Sequence, residues 1–144
     1  MAIKLLLLNG PNLNLLGTRE PEIYGHQTLD DIAGMLEDAA RPLGLTIDMR
    51  QSNHEGHLID WLHEANAVGA KAVLLNAGGY THTSIAILDA IKAISVPVIE
   101  VHLSDPHTRE DFRHISYVGM GAVACFAGYG AESYTRALDA ASRL

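Results

Sequence analysis

The sequence predicts an α/β fold in which a five-stranded parallel sheet, ordered 2-1-3-4-5, lies between two helical layers. Three observations lead there. Apolar runs of strand length alternate with segments whose apolar residues recur at helical spacing, from one end of the chain to the other. The first run, residues 3–8, has no in–out alternation, as in a strand buried on both faces. Strands that alternate with helices imply parallel pairing through right-handed crossovers, and five of them suit the 2-1-3-4-5 order.

Each element has its own signal. After the first strand, Thr28-Leu-Asp-Asp31 has the form of a capping box with Asp in place of the preferred Glu. Leu29, Ile32, Ala33, Leu36 and Ala40 then follow at helical spacing, and Pro42 and Gly44 stop that helix. Residues 45–50 read as the second strand. Leu58, Ile59, Leu62 and Ala65 mark a second helix that Gly69 can end. Residues 72–75 form a third strand, 84–94 a third helix closed by Ser95-Val-Pro97, 98–101 a fourth strand and 122–126 a fifth. Tyr134, Ala137, Leu138 and Ala141 give a terminal helix. Residues 105–118 fit least well: Thr108-Arg-Glu-Asp-Phe112 can make one helical turn but not a long crossover helix.

With 144 residues, the chain has the size of one domain, 1–144, and can bury a core without staples. At 48% hydrophobic residues, disorder is not expected. No apolar run reaches the roughly 18–20 residues of a membrane span, and the opening Met1-Ala-Ile-Lys4 reads as the approach to a strand rather than a leader. A single cysteine, Cys125, excludes an internal disulfide framework; it lies in an apolar run and is expected in the core. The default compartment is the cytoplasm. A net charge of −7 argues against nucleic acid as a partner. It leaves a small anion possible, because bulk field is screened beyond about 8–10 Å.

In open α/β sheets, ligands bind outside the carboxyl ends of the strands. Here those exits are rich in amides and histidines: Asn9, Asn12, Asn14, Arg19 and Tyr24 after the first strand; Gln51-Ser-Asn-His-Glu-Gly56 after the second; Asn76 and Gly78-Gly-Tyr-Thr-His-Thr83 after the third; Glu100, His102, Ser104 and Asp105 at the fourth. Polar loops are normal on any protein, but that does not account for four such exits on one sheet edge. The loop 9–27 is unusually long, and its leucines, glycines and prolines suggest a lid that carries function. It has neither a GxGxxG nor a P-loop pattern.

Tyr24 lies five residues after Arg19. Beside a desolvated guanidinium a tyrosine can serve as a general base; a packed tyrosine with a capped hydroxyl explains the residue equally well. His102, near Glu100 and Ser104, is either a satisfied core histidine or a proton donor held in one tautomer. His82 precedes a helix start, where N–H groups can bind an anion. Arg109 and Arg113 suit a carboxylate, or form a solvated turn with Glu110 and Asp111. His54, His57, His82, His102 and Asp105 match no tight metal-ligand spacing, and Ser104 lacks a GxSxG elbow.

These motifs, taken together, are recognisable. Leu8-Asn-Gly-Pro-Asn-Leu-Asn-Leu-Leu-Gly17, Arg19-Glu-Pro21, Ile23-Tyr-Gly25, Gln51-Ser-Asn-His-Glu-Gly56, Asn76-Ala-Gly-Gly-Tyr-Thr-His-Thr-Ser84, Glu100-Val-His-Leu-Ser104 and Arg109-Glu-Asp-Phe-Arg-His-Ile-Ser116 resemble the type II 3-dehydroquinate dehydratases over nearly the whole chain. The resemblance implies a flavodoxin-like three-layer sandwich and a single catalytic domain that uses no cofactor or metal. It implies dehydration of 3-dehydroquinate to 3-dehydroshikimate through an enolate, the third step of the shikimate pathway, in aromatic biosynthesis or quinate breakdown. Tyr24, activated by Arg19, would be the base. Asn12 would hold a water on the enolate oxygen, and His102 would be the acid. Asn76, His82, Leu103, Ser104 and Arg113 would bind substrate. Asp89 would reach a neighbouring subunit's site in a dodecamer of stacked trimers.

Two positions depart from the family pattern. Asp105 stands where Asn is common, and a carboxylate there could repel the substrate or retune His102. His57 stands where an acidic residue is usual. Two other readings compete: an FMN-binding or phospho-receiver module, the receiver wanting paired acids after the first strand and a late Lys, and a lyase acting on a related cyclic acid.

Overall fold

The structure, a computed structural model, describes residues 3–144. Five parallel strands form one sheet in the order β2-β1-β3-β4-β5, the flavodoxin-like topology predicted above. They are β1 (Ile3–Asn9), β2 (Leu45–Gln51), β3 (Ala72–Asn76), β4 (Val98–His102) and β5 (Ala124–Ala127). The apolar run of β1 explains its central place. Leu5 and Leu7 enter a core shared with α2 (Leu29–Ala40) and α6 (Glu132–Ser142). Leu6 and Leu8 enter a second core under α3 (Glu55–Ala67) and α4 (Ile85–Ala93). With both faces covered, no position from Leu5 to Leu8 calls for a polar residue.

Local signals act as expected. Thr28 and Asp31 make a reciprocal capping box at the start of α2, which satisfies two backbone N–H groups that the helix leaves free. Gly44 turns the chain into β2 at φ +71°, in the left-handed region. Ser84 caps α4 by accepting from Ile87 N–H at 2.9 Å.

Two regions gain detail from the structure, and a third position reverses expectation. The loop 9–27 is ordered by a 3₁₀ turn (Leu13–Leu15) and one helical turn, α1 (Pro21–Tyr24), with Leu13 and Leu16 buried beneath it. Residues 105–118 hold two 3₁₀ turns, Pro106–Thr108 and Asp111–Arg113, before α5 (Tyr117–Gly121) makes a five-residue crossover. Cys125 is not in the core: it is exposed. It lies on the edge strand β5 opposite Glu100, and α5 is too short to cover that face. Partial desolvation and the Glu100 carboxylate push its thiol up to about 12.

Candidate functional site

The sheet brings its carboxyl ends together, and a cleft opens there. Asn12, Arg19, Tyr24, Asn76, His102, Leu103, Ser104, Arg109 and Arg113 all line it. Strand register does much of the placing, since Asn9 of β1 pairs with Asn76 of β3. In β4 the two-residue period puts Glu100 and His102 on one face.

Tyr24 ends α1, whose start at Pro21 follows Glu20 in the left-handed region at φ +39°. Its hydroxyl accepts a hydrogen bond from Arg109 Nη1 at 2.7 Å. Arg19 lies against the ring, with Cζ 4.6 Å from its centroid. Two guanidinium groups therefore converge on one phenol. Arg109 also reaches Ser104 Oγ at 3.4 Å, which ties the loop that carries Tyr24 to the exit of β4.

His102 is buried, and its Nε2 lies 2.6 Å from Glu100 Oε2. A carboxylate only accepts, so Nε2 carries a hydrogen and Nδ1 is left for proton exchange. Ser116 Oγ donates to the same Glu100 oxygen at 2.5 Å. Burial opposes charge on Glu100, but the bonds from His102 and Ser116 outweigh it and hold the carboxyl below the usual range.

Asn12 adopts φ +69°, and its N–H donates to Asn53 Oδ1 at 3.0 Å. Gln51 Nε2 braces the same corner through Gly10 O and Asn53 Oδ1, each at 3.1 Å. Gly10 has no alternative there, since a Cβ would sit 2.3 Å from the Ala77 carbonyl oxygen.

Two expected residues stand apart. His82 is not among the residues that line the cleft. Its Nδ1 pairs with Ile115 O at 2.8 Å, and burial pushes it below the usual imidazole range. Asp89 is exposed on α4, also outside this cleft. Asp105 turns its carboxylate to the His107 N–H at 3.0 Å, capping the turn before Arg109. From its sequence position Arg109 suits a carboxylate or a solvated turn; its contact with Tyr24 spans 85 residues and has no local signal.

The model of the class II dehydroquinase family matches residues 3–142. The chain belongs to that family. A 3-dehydroquinate dehydratase of Phenylobacterium zucineum is 56% identical over 144 residues, covering 100% of this chain and 99% of its own length. Two crystal structures of type II dehydroquinases superpose at a TM-score of 0.95. The one from Propionibacterium acnes is 40% identical, covering 100% of this chain and 99% of its own. The one from Butyrivibrio crossotus is 39% identical and covers 97% of each. The cleft of this class II dehydroquinase is thus the candidate active site. No helix of the described residues is long and apolar enough to cross a membrane.

Proposed function

We propose that this class II dehydroquinase is a 3-dehydroquinate dehydratase, a hydro-lyase, with Tyr24 as base and His102 as acid. The observation that carries the mechanism is the pairing of opposite chemistries in one cleft: a phenol oxygen held by a guanidinium, and an imidazole held by a carboxylate. An elimination next to a ketone needs a base, an oxyanion stabiliser and an acid.

The reaction runs in two steps. Tyr24 removes a proton from the carbon beside the ketone, and the electron pair moves onto the carbonyl oxygen as an enolate. A water held by Asn12 stabilises that oxygen. The enolate then re-forms the carbonyl, the carbon–hydroxyl bond breaks, and His102 delivers a proton from Nδ1 so that water leaves. Arg19 and Arg109 stabilise the phenolate, and Glu100 orients the imidazole. Arg113 holds the substrate carboxylate, and Asn76, Leu103 and Ser104 hold the ring within the cleft; His82, outside the cleft lining, reaches the substrate through Nε2, its one free nitrogen.

We take residues 1–144 as one catalytic domain acting in the cytoplasm, without cofactor, metal or nucleic-acid partner. The exposed position of Asp89 on α4 suits a contact with a neighbouring subunit's site in a dodecamer of stacked trimers, which sedimentation tests.

The product is a conjugated enone, so turnover is read as new ultraviolet absorbance. Tyr24→Phe and His102→Ala are each expected to lower kcat by about 10²–10⁴-fold. Full activity in Tyr24→Phe overturns the base, and turnover of quinate or shikimate in place of dehydroquinate overturns the substrate.

A further inference from the structure

Behind the cleft, the core between β1, β3 and α6 holds a polar chain of which the mechanism above uses only the last member, Asn76. Tyr134 of α6 is fully buried, as is Asn9, and Asn76 is 4% exposed. Asn9 Nδ2 donates to the Arg50 carbonyl at 3.1 Å. The Tyr134 hydroxyl donates to Asn9 Oδ1 at 2.7 Å and accepts from Asn76 Nδ2 at 2.9 Å. Asn76 Oδ1 in turn accepts from Gly78 N–H at 3.2 Å.

This chain has a single allowed direction. A backbone carbonyl can only accept, so Arg50 compels Asn9 to present its NH₂ there and its oxygen to Tyr134. That oxygen consumes the one phenolic hydrogen. Tyr134 can then offer Asn76 only a lone pair, and Asn76 must answer with its NH₂. The Gly78 N–H fixes the same orientation from the other side. Burial also pushes the Tyr134 phenol above its usual range, which keeps its hydrogen in place. An unconstrained asparagine can exchange its oxygen and nitrogen by a half-turn of the amide. Here the half-turn would break two buried hydrogen bonds and bring like groups together.

We infer that Tyr134 is a positioning residue that fixes the amide orientation of Asn76, and with it the one N–H and one lone pair that Asn76 turns to a ligand in the cleft. This inference rests on the reading of Asn76 as a substrate contact. The relay acts on ground-state binding rather than on proton transfer, so its mark is a change in KM without a matching change in kcat.

The test is steady-state turnover of dehydroquinate by the intact protein and two variants, with thermal melting as the check on folding. Tyr134→Phe removes the hydroxyl. Asn9→Leu keeps Tyr134 but frees its hydrogen to face Asn76, which favours the reversed amide. Both are expected to raise KM about tenfold, the scale of one misdirected hydrogen bond, with kcat within about twofold of the parent. Where one variant does not fold, the other decides. A parental KM in either folded variant overturns the relay, whatever its effect on melting. An equal fall in kcat and kcat/KM, with KM unchanged, also overturns it. Absence of turnover in the unmutated protein instead overturns the proposed function, so the two failures are distinct.

Discussion

Arg109 Nη1 meets the Tyr24 hydroxyl oxygen at 2.7 Å, whereas Arg19 meets the ring, with Cζ 4.6 Å from its centroid. The two cations thus act on one phenol from different directions. Arg109 touches the atom on which phenolate charge concentrates. Arg19, paired with Glu20 at 3.9 Å, sits over the ring face in a cation–π contact.

Because both arginines act on one phenol, their removal should not be additive. Arg19→Met and Arg109→Met are each expected to lower kcat by roughly a hundredfold or more, within the range of a lost general base. The double variant should fall little further, since the first loss already disables the base. The check is kcat for both single variants and the double; fully multiplicative losses would mean that the arginines act on different steps.

Glu100 ties stability to pH. Its carboxyl is held below its ordinary value of 4.5 by the bonds from His102 and Ser116, against the opposing cost of burial. A depressed carboxylate contributes stability that is complete above its unfolded pKa and lost as pH falls through the lower folded one. The melting advantage of the parent over Glu100→Gln should therefore be greatest near neutral pH and shrink below about pH 4.5. Melting curves from pH 3 to 7 on both proteins test this; an advantage that grows with acid would contradict it.

Strand order was readable because hydrophobic periodicity is local: the run through Leu5–Leu8 already implies burial on both faces. The conformation of residues 105–118 was not readable, since 3₁₀ turns started by Pro106 and broken at Glu110 carry no period. Cys125 misled because its apolar neighbours say nothing about the cover above it, which depends on the length of α5. In the site, Arg19 and Tyr24 are neighbours in sequence. Arg109–Tyr24 and Tyr134–Asn9, 85 and 125 residues apart, arise only once the sheet has assembled.

Gly10 measures how closely the exits of β1 and β3 must pack. A Cβ there would lie 2.3 Å from the Ala77 carbonyl oxygen and 2.6 Å from its carbon, all backbone. No side chain can move to relieve that contact. Gly10→Ala should cost about 3 kcal/mol, toward the upper end for overpacking, and displace Asn12, which follows two residues later. Urea unfolding and kcat should both fall; a parental midpoint would show that the strands can separate at no cost.

Asp105 supplies the last test, because a carboxylate in the turn that follows β4 could be either a hindrance or a brace. Its Oδ1 accepts from His107 N–H at 3.0 Å, and its backbone oxygen accepts from Thr108 N–H at 3.1 Å and Oγ1 at 2.8 Å. These bonds form the turn that delivers Arg109 to Tyr24. An asparagine oxygen can cap the same turn, so Asp105→Asn should keep both stability and kcat near the parent. Asp105→Ala should lose about 1 kcal/mol, as for other lost caps, together with part of kcat through a loosened Arg109. If Asp105→Asn raised kcat while Asp105→Ala raised it further, the carboxylate would be acting by repulsion of the substrate and not as a cap.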